Sequence, residues 1–135
     1  MKTTIFAALM GAGAFLAGCV PIATEKNVGT MPMADLCTSV IVASNLGNPG
    51  GAALALAEVE RRGQFTAAEM RAIRTNSVVP GMSEAAAVCA WGNAYDTVNL
   101  TSTARGTSKQ FVYSSDYSKT RYFYTENGRV TAVQM

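Results

Sequence analysis

The hydrophobic period of this chain changes once, at Gly92, and that change dictates the class of fold open to it. Before Gly92, apolar residues recur at three- and four-residue steps. From Ala34, Leu36, Cys37, Val40 and Ile41 mark a helix that stops at Leu46-Gly47-Asn48-Pro49-Gly50-Gly51, read as a loop. Ala52 to Arg62 is rich in alanine and leucine and meets Gly63 where a C-terminal cap glycine belongs. Thr66-Ala67-Ala68-Glu69 fits a capping box, so a short helix is expected over 67–74, with Glu69 as a cap rather than an acid catalyst. Ser83-Glu84 opens another helix that Gly92 ends. After Gly92, the runs 98–101, 109–113 and 120–125 are rich in β-branched and aromatic residues, separated by Gly, Ser and Asp clusters. Asn127-Gly128 has the composition of a type I′ hairpin, and 129–134 alternates so that Val130 and Ala132 share a face. Helices first and a meander second predict an α+β fold, with the helices packed on one face of an antiparallel sheet.

The first eighteen residues stand apart. Lys2 is followed by an uncharged apolar stretch from Ile5 to Phe15, a secretory h-region too short for a transmembrane helix, which needs about 20 apolar residues. It ends Leu16-Ala17-Gly18-Cys19, which resembles the bacterial lipobox; an ordinary signal peptide with an incidental cysteine is the alternative. Cleavage before a lipidated Cys19 leaves 117 of the 135 residues, enough for one small domain. With Val20 rather than aspartate next to the lipid, the pattern resembles lipoproteins sorted to the outer membrane and facing the periplasm. Residues 19–33 hold Pro21, Gly29 and Pro32 without a sustained period and read as a flexible tether, leaving 34–135 as the domain.

Lipidation of Cys19 leaves two thiols, Cys37 and Cys89, in an oxidising compartment. A disulfide closing about 50 residues contributes roughly 2–4 kcal/mol, and two buried free cysteines are the alternative. The mature chain carries ten basic side chains against nine acidic, a balance with no footprint for nucleic acid. It has no histidine, which removes the commonest general base and metal ligand. Neither Cys-x-x-Cys, Ser-x-x-Lys nor Gly-x-Ser-x-Gly occurs, so no enzyme, metal or cofactor is expected beyond the covalent lipid. Arg61, Arg62, Arg71 and Arg74 read as a solvated helix face offset by Glu58, Glu60 and Glu69.

Gly81-Met82-Ser83, Gly92, Phe111-Val112-Tyr113 and Tyr122-Phe123-Tyr124-Thr125-Glu126-Asn127-Gly128-Arg129-Val130 occur in an order that resembles the SmpA/OmlA (BamE-like) family of outer-membrane lipoproteins, over residues 66–134. The resemblance implies two helices on a three-stranded antiparallel meander, and a part in β-barrel outer-membrane protein assembly or envelope integrity. The chain departs from the family at Gly92-Asn93-Ala94, where members carry Gly-x-Pro, and the helical region 34–63 is extra. The same arrangement also resembles the β-lactamase inhibitor fold, so an inhibitor or exclusion lipoprotein acting on an envelope enzyme or receptor is the alternative.

Tyr113, Tyr117, Tyr122, Tyr124 and Arg121 concentrate the residue types that dominate protein interfaces, and are the candidate contacts for an envelope partner. On a strand, Tyr122 and Tyr124 share one face, and Arg121 and Phe123 the other. The alternative is that the tyrosines simply cover the sheet.

Overall fold

The computed structural model describes residues 22–93, 95–115 and 118–135, so the leader, Cys19 and Tyr117 lie outside the described residues. Helices α1 (Met33–Asn45), α2 (Pro49–Arg61), α3 (Ala67–Arg74) and α4 (Glu84–Trp91) precede strands β1 (Thr97–Thr103), β2 (Gly106–Ser115), β3 (Ser118–Glu126) and β4 (Arg129–Gln134). The strands form one antiparallel sheet in chain order. The fold is α+β, but with four strands rather than three. The three-stranded count fails because β1 is a full partner of β2, from Thr97 opposite Val112 to Thr103 opposite Gly106. Its residues are mostly exposed, so it is held by the backbone ladder with little help from the core.

Local signals place most helix ends. Thr66 and Glu69 complete the capping box of α3, and Ser83 Oγ accepts from the Ala86 amide at the start of α4. Gly92, at φ +91°, ends α4. Helix α2 begins three residues before the expected Ala52: Pro49 stands in its first turn, where no amide is needed, and Asn48 Oδ1 accepts from the Gly51 amide at 2.9 Å. Gly51 is there for space, since a Cβ on it would come within 2.8 Å of Ile22 Cγ2.

That contact corrects the tether. From Ile22 onward the segment is packed: Ala23 is buried and its amide donates to Ser39 Oγ at 2.8 Å, Met31 is buried, and Val28–Thr30 is a turn of 3₁₀ helix. Arg62 reaches back to the carbonyls of Val28 and Gly29. Two buried apolar side chains and these backbone contacts outweigh the prolines and glycine that read as a linker.

Cys37 on α1 and Cys89 on α4 form a disulfide, Sγ to Sγ 2.02 Å, which ties the α1–α2 hairpin to the helix lying on the sheet. Against the helices the sheet presents Phe111, Tyr113, Phe123 and Val130. Phe111 and Phe123 stack at 4.5 Å, and the Trp91 edge meets both Tyr113 and Phe123. Glu84 joins the layers through Lys109 Nζ at 2.6 Å and Thr125 Oγ1 at 2.9 Å.

Alternation in β4 is interrupted. Tyr124 faces Ala132 but Thr125 faces Val130, so Thr131 is an extra residue, a bulge. Val130 therefore shares the core side with Val133, and Ala132 is exposed, reversing the expected pairing of Val130 with Ala132.

Glu69 does more than cap α3. Its carboxylate accepts from the Thr66 amide at 2.9 Å and the Ser83 amide at 2.7 Å, bridging the starts of α3 and α4. Burial pushes its pKa up, but these amides win and hold it at about 2, below the ordinary 4.5. A carboxylate lowered in the folded state stabilises fully above about 4.5 and loses that contribution as pH falls towards 2. Denaturant titrations at pH 6 and pH 3 are expected to show this loss in the wild type and a smaller one in Glu69→Gln, which at pH 6 is itself less stable by about 1 kcal/mol.

Candidate functional site

The sheet has one face under the helices and one face bare, and the four candidate contact residues that are described, Tyr113, Arg121, Tyr122 and Tyr124, divide between them. Tyr113 belongs to the core: it is 6% exposed and its hydroxyl donates to the Gly92 carbonyl at 2.9 Å. Burial pushes that hydroxyl's pKa well up, so it stays protonated as the donor. The packing corrects its assignment as a partner contact, because register places Tyr113 opposite Arg121 on the helix side.

Arg121 lies over Trp91, its Cζ 4.6 Å from the ring centroid. Beside it is a depression of about 210 Å³ lined by Ile41, Asn45, Asn76, Ala90 and Trp91. Asn45 is the last residue of α1, Trp91 the last of α4, and Asn76 follows α3. The guanidinium thus stands where the carbonyl ends of three helices converge, a position that favours a cation for structural reasons.

Tyr122 and Tyr124 are half-buried on the bare face. They share it with a hydrogen-bonded ladder that crosses all four strands. Asn99 Nδ2 donates to Gln110 Oε1 at 2.8 Å, Gln110 Nε2 to the Tyr124 hydroxyl at 2.9 Å, and that hydroxyl to Gln134 Oε1 at 3.3 Å. A shallow groove of about 300 Å³ runs here, lined by Asn99, Thr101, Ser108, Gln110, Tyr124 and Glu126 among others. The ladder holds the Tyr124 ring upright and leaves further carboxamide donors and acceptors exposed beside it. Such a surface is suited to contacts that combine aromatic area with adaptable hydrogen bonding.

Alternation in the sequence puts the two tyrosines on one face without saying which face is bare, and it does not by itself single out Asn99, Gln110 and Gln134. Their signal was strand alternation: Gln110 precedes the inward Phe111, and the Asn127-Gly128 turn sets the register that brings β4 beside Tyr124.

A second cavity, about 370 Å³, opens between α1, α4 and the loop before α3. Met33, Phe65, Ala85, Val88 and the Cys37–Cys89 disulfide make it mainly apolar, with Gln64, Glu84 and Asn93 also lining it. Three arginines of the helical cluster are ion-paired, since Glu58 accepts from Arg61 and Arg62, and Glu60 pairs with Arg74. Among the described residues no group of three His, Cys, Asp or Glu side chains is placed to hold a metal, and no helix is long and apolar enough to cross a membrane.

Comparison with protein-family models, with curated proteins and with solved structures finds no match to this chain.

Proposed function

We propose that this protein is a lipid-anchored, periplasm-facing lipoprotein of the outer membrane that acts without catalysis. In this reading Cys19 carries the lipid, and the domain is a protein-interaction module in β-barrel outer-membrane protein assembly or envelope integrity, as the resemblance to the SmpA/OmlA family implies. The observation that supports it is the bare sheet face. Tyr122 and Tyr124 lie there, and the Tyr124 hydroxyl is braced by the carboxamides of Gln110 and Gln134 on the neighbouring strands. Tyrosine is rigid, amphipathic and over-represented among residues that carry binding energy.

The experiment is photocrosslinking in living cells from a probe at exposed Thr131, beside Tyr124. Capture of barrel-assembly subunits is expected, and Tyr124→Ala is expected to reduce it about tenfold or more, the effect of losing one strong interface residue. Its melting temperature is expected to fall by no more than about 5 °C, since a partly exposed side chain on the solvent face is removed. Capture of a single enzyme or receptor instead replaces this reading with the inhibitor or exclusion alternative. Capture unaffected by Tyr124→Ala rejects the tyrosine face as the contact.

A further inference from the structure

The packing of Ile22 decides which end of the domain lies nearest to residue 19. Ile22 Cγ2 sits against Gly51 in the first turn of α2, directly beside the α1–α2 turn. It cannot swing away, because Asn27 Nδ2 donates to its carbonyl and the following Ala23 amide is bonded to Ser39. Only Val20 and Pro21 separate it from Cys19, so the two α-carbons are at most about 11 Å apart.

The surface beside that point suits a bilayer. The turn Leu46-Gly47-Asn48-Pro49-Gly50 carries no charged side chain, and every residue in it is exposed. Leu46 is 69% exposed, a large apolar side chain at the tip with nothing in the domain to cover it. We propose that this turn rests in the headgroup layer of the membrane with Leu46 inserted, so that the protein is held in one orientation. The inference rests on lipidation of Cys19. The distance fits: an apolar element at the interface enters by about 5–10 Å, which a link of this length permits.

The orientation has a far end. The first residue of α4, Glu84, donates its amide to the Gly128 carbonyl in the β3–β4 turn, and Asn127 bonds Thr107 beside the β1–β2 turn. Gly92, just past the other end of α4, packs on Ile41 of α1, with Leu46 further on. Arg105 in the β1–β2 turn and Leu46 are therefore separated by more than the length of α4, about 12 Å for its eight residues.

The test uses the full lipidated protein in phosphatidylcholine/phosphatidylglycerol vesicles with brominated acyl chains. Trp91 is the sole tryptophan and is buried, so the wild type provides the background. Leu46→Trp is expected to show blue-shifted emission and severalfold stronger bromine quenching than the wild type, whereas Arg105→Trp is quenched no more than the wild type. Equal quenching at the two positions overturns the proposal while leaving the anchor intact, provided the protein floats with the vesicles. Wild-type protein that fails to float overturns the anchor, and the proposal with it. Exclusion of the Leu46→Trp probe from lipid together with a dimeric state in detergent assigns the turn to a second copy and also overturns it.

Discussion

Phe123→Ala is expected to lower the free energy of unfolding by about 4 kcal/mol, within the range seen when a buried phenylalanine is truncated. In a domain of this size the loss corresponds to a fall of about 15 °C or more in melting temperature. Phe123 is fully buried in the middle of β3, stacked on Phe111 of β2 and met by the edge of Trp91 from α4. Alanine leaves a void bordered by three rings fixed from both layers. Tyr113 is hydrogen-bonded to Gly92, and Trp91 lies beneath Arg121, so neither ring is free to fill the gap. Phe123→Leu keeps most of the volume and is expected to cost about 1–2 kcal/mol. Denaturant unfolding of the three proteins checks this. A loss below about 1 kcal/mol in Phe123→Ala would mean that the sheet and helices are not joined through this ring.

Cys37→Ala/Cys89→Ala is expected to cost about 3–4 kcal/mol, and reductant is expected to affect the wild type alike while leaving the double variant unchanged. The two cysteines are 52 positions apart, and the link crosses from the α1–α2 hairpin to α4. Without it the hairpin is held to the rest by apolar contacts of Leu36, Val40 and Val59 and by few polar ones. The amides of α1 and α2 are therefore expected to lose hydrogen-exchange protection before those of β2 and β3. Uniform loss of protection would show the hairpin and the sheet to be one cooperative unit.

Short-range chemistry was legible in the sequence. The capping box at Thr66, the serine cap at Ser83, the stop at Gly92 and the turn at Asn127-Gly128 each depend on residues within a few positions. In the structure Asn127 and Gly128 have φ of +48° and +78°, as a type I′ turn requires. What escaped depends on distant contacts. Pro49-Gly50-Gly51 reads as a breaker until Ile22 is placed against Gly51, when the glycine becomes a requirement of packing. Ala23 and Met31 look like isolated apolar residues in a linker until Ser39 and Arg62 are brought alongside. The tyrosines show both limits: alternation separated Tyr122 and Tyr124 from Arg121, but only the register of β2 on β3 placed Tyr113 inside. The extra residue at Thr131 left no mark, because a run of six can alternate perfectly and still be bulged.

That bulge has a consequence for self-assembly. An open sheet has two rims, and each is a template on which another chain can grow. On the β4 rim the backbone of Val130 is already bonded to Gly81 and Met82, and the strand is broken at Thr131, so an incoming strand finds no continuous template. The β1 rim is unbroken, but a molecule receptive on one side only can pair with a copy of itself and go no further. Fibre growth needs two receptive sides, and a displaced threonine beside an edge already bonded to Gly81 and Met82 denies the second.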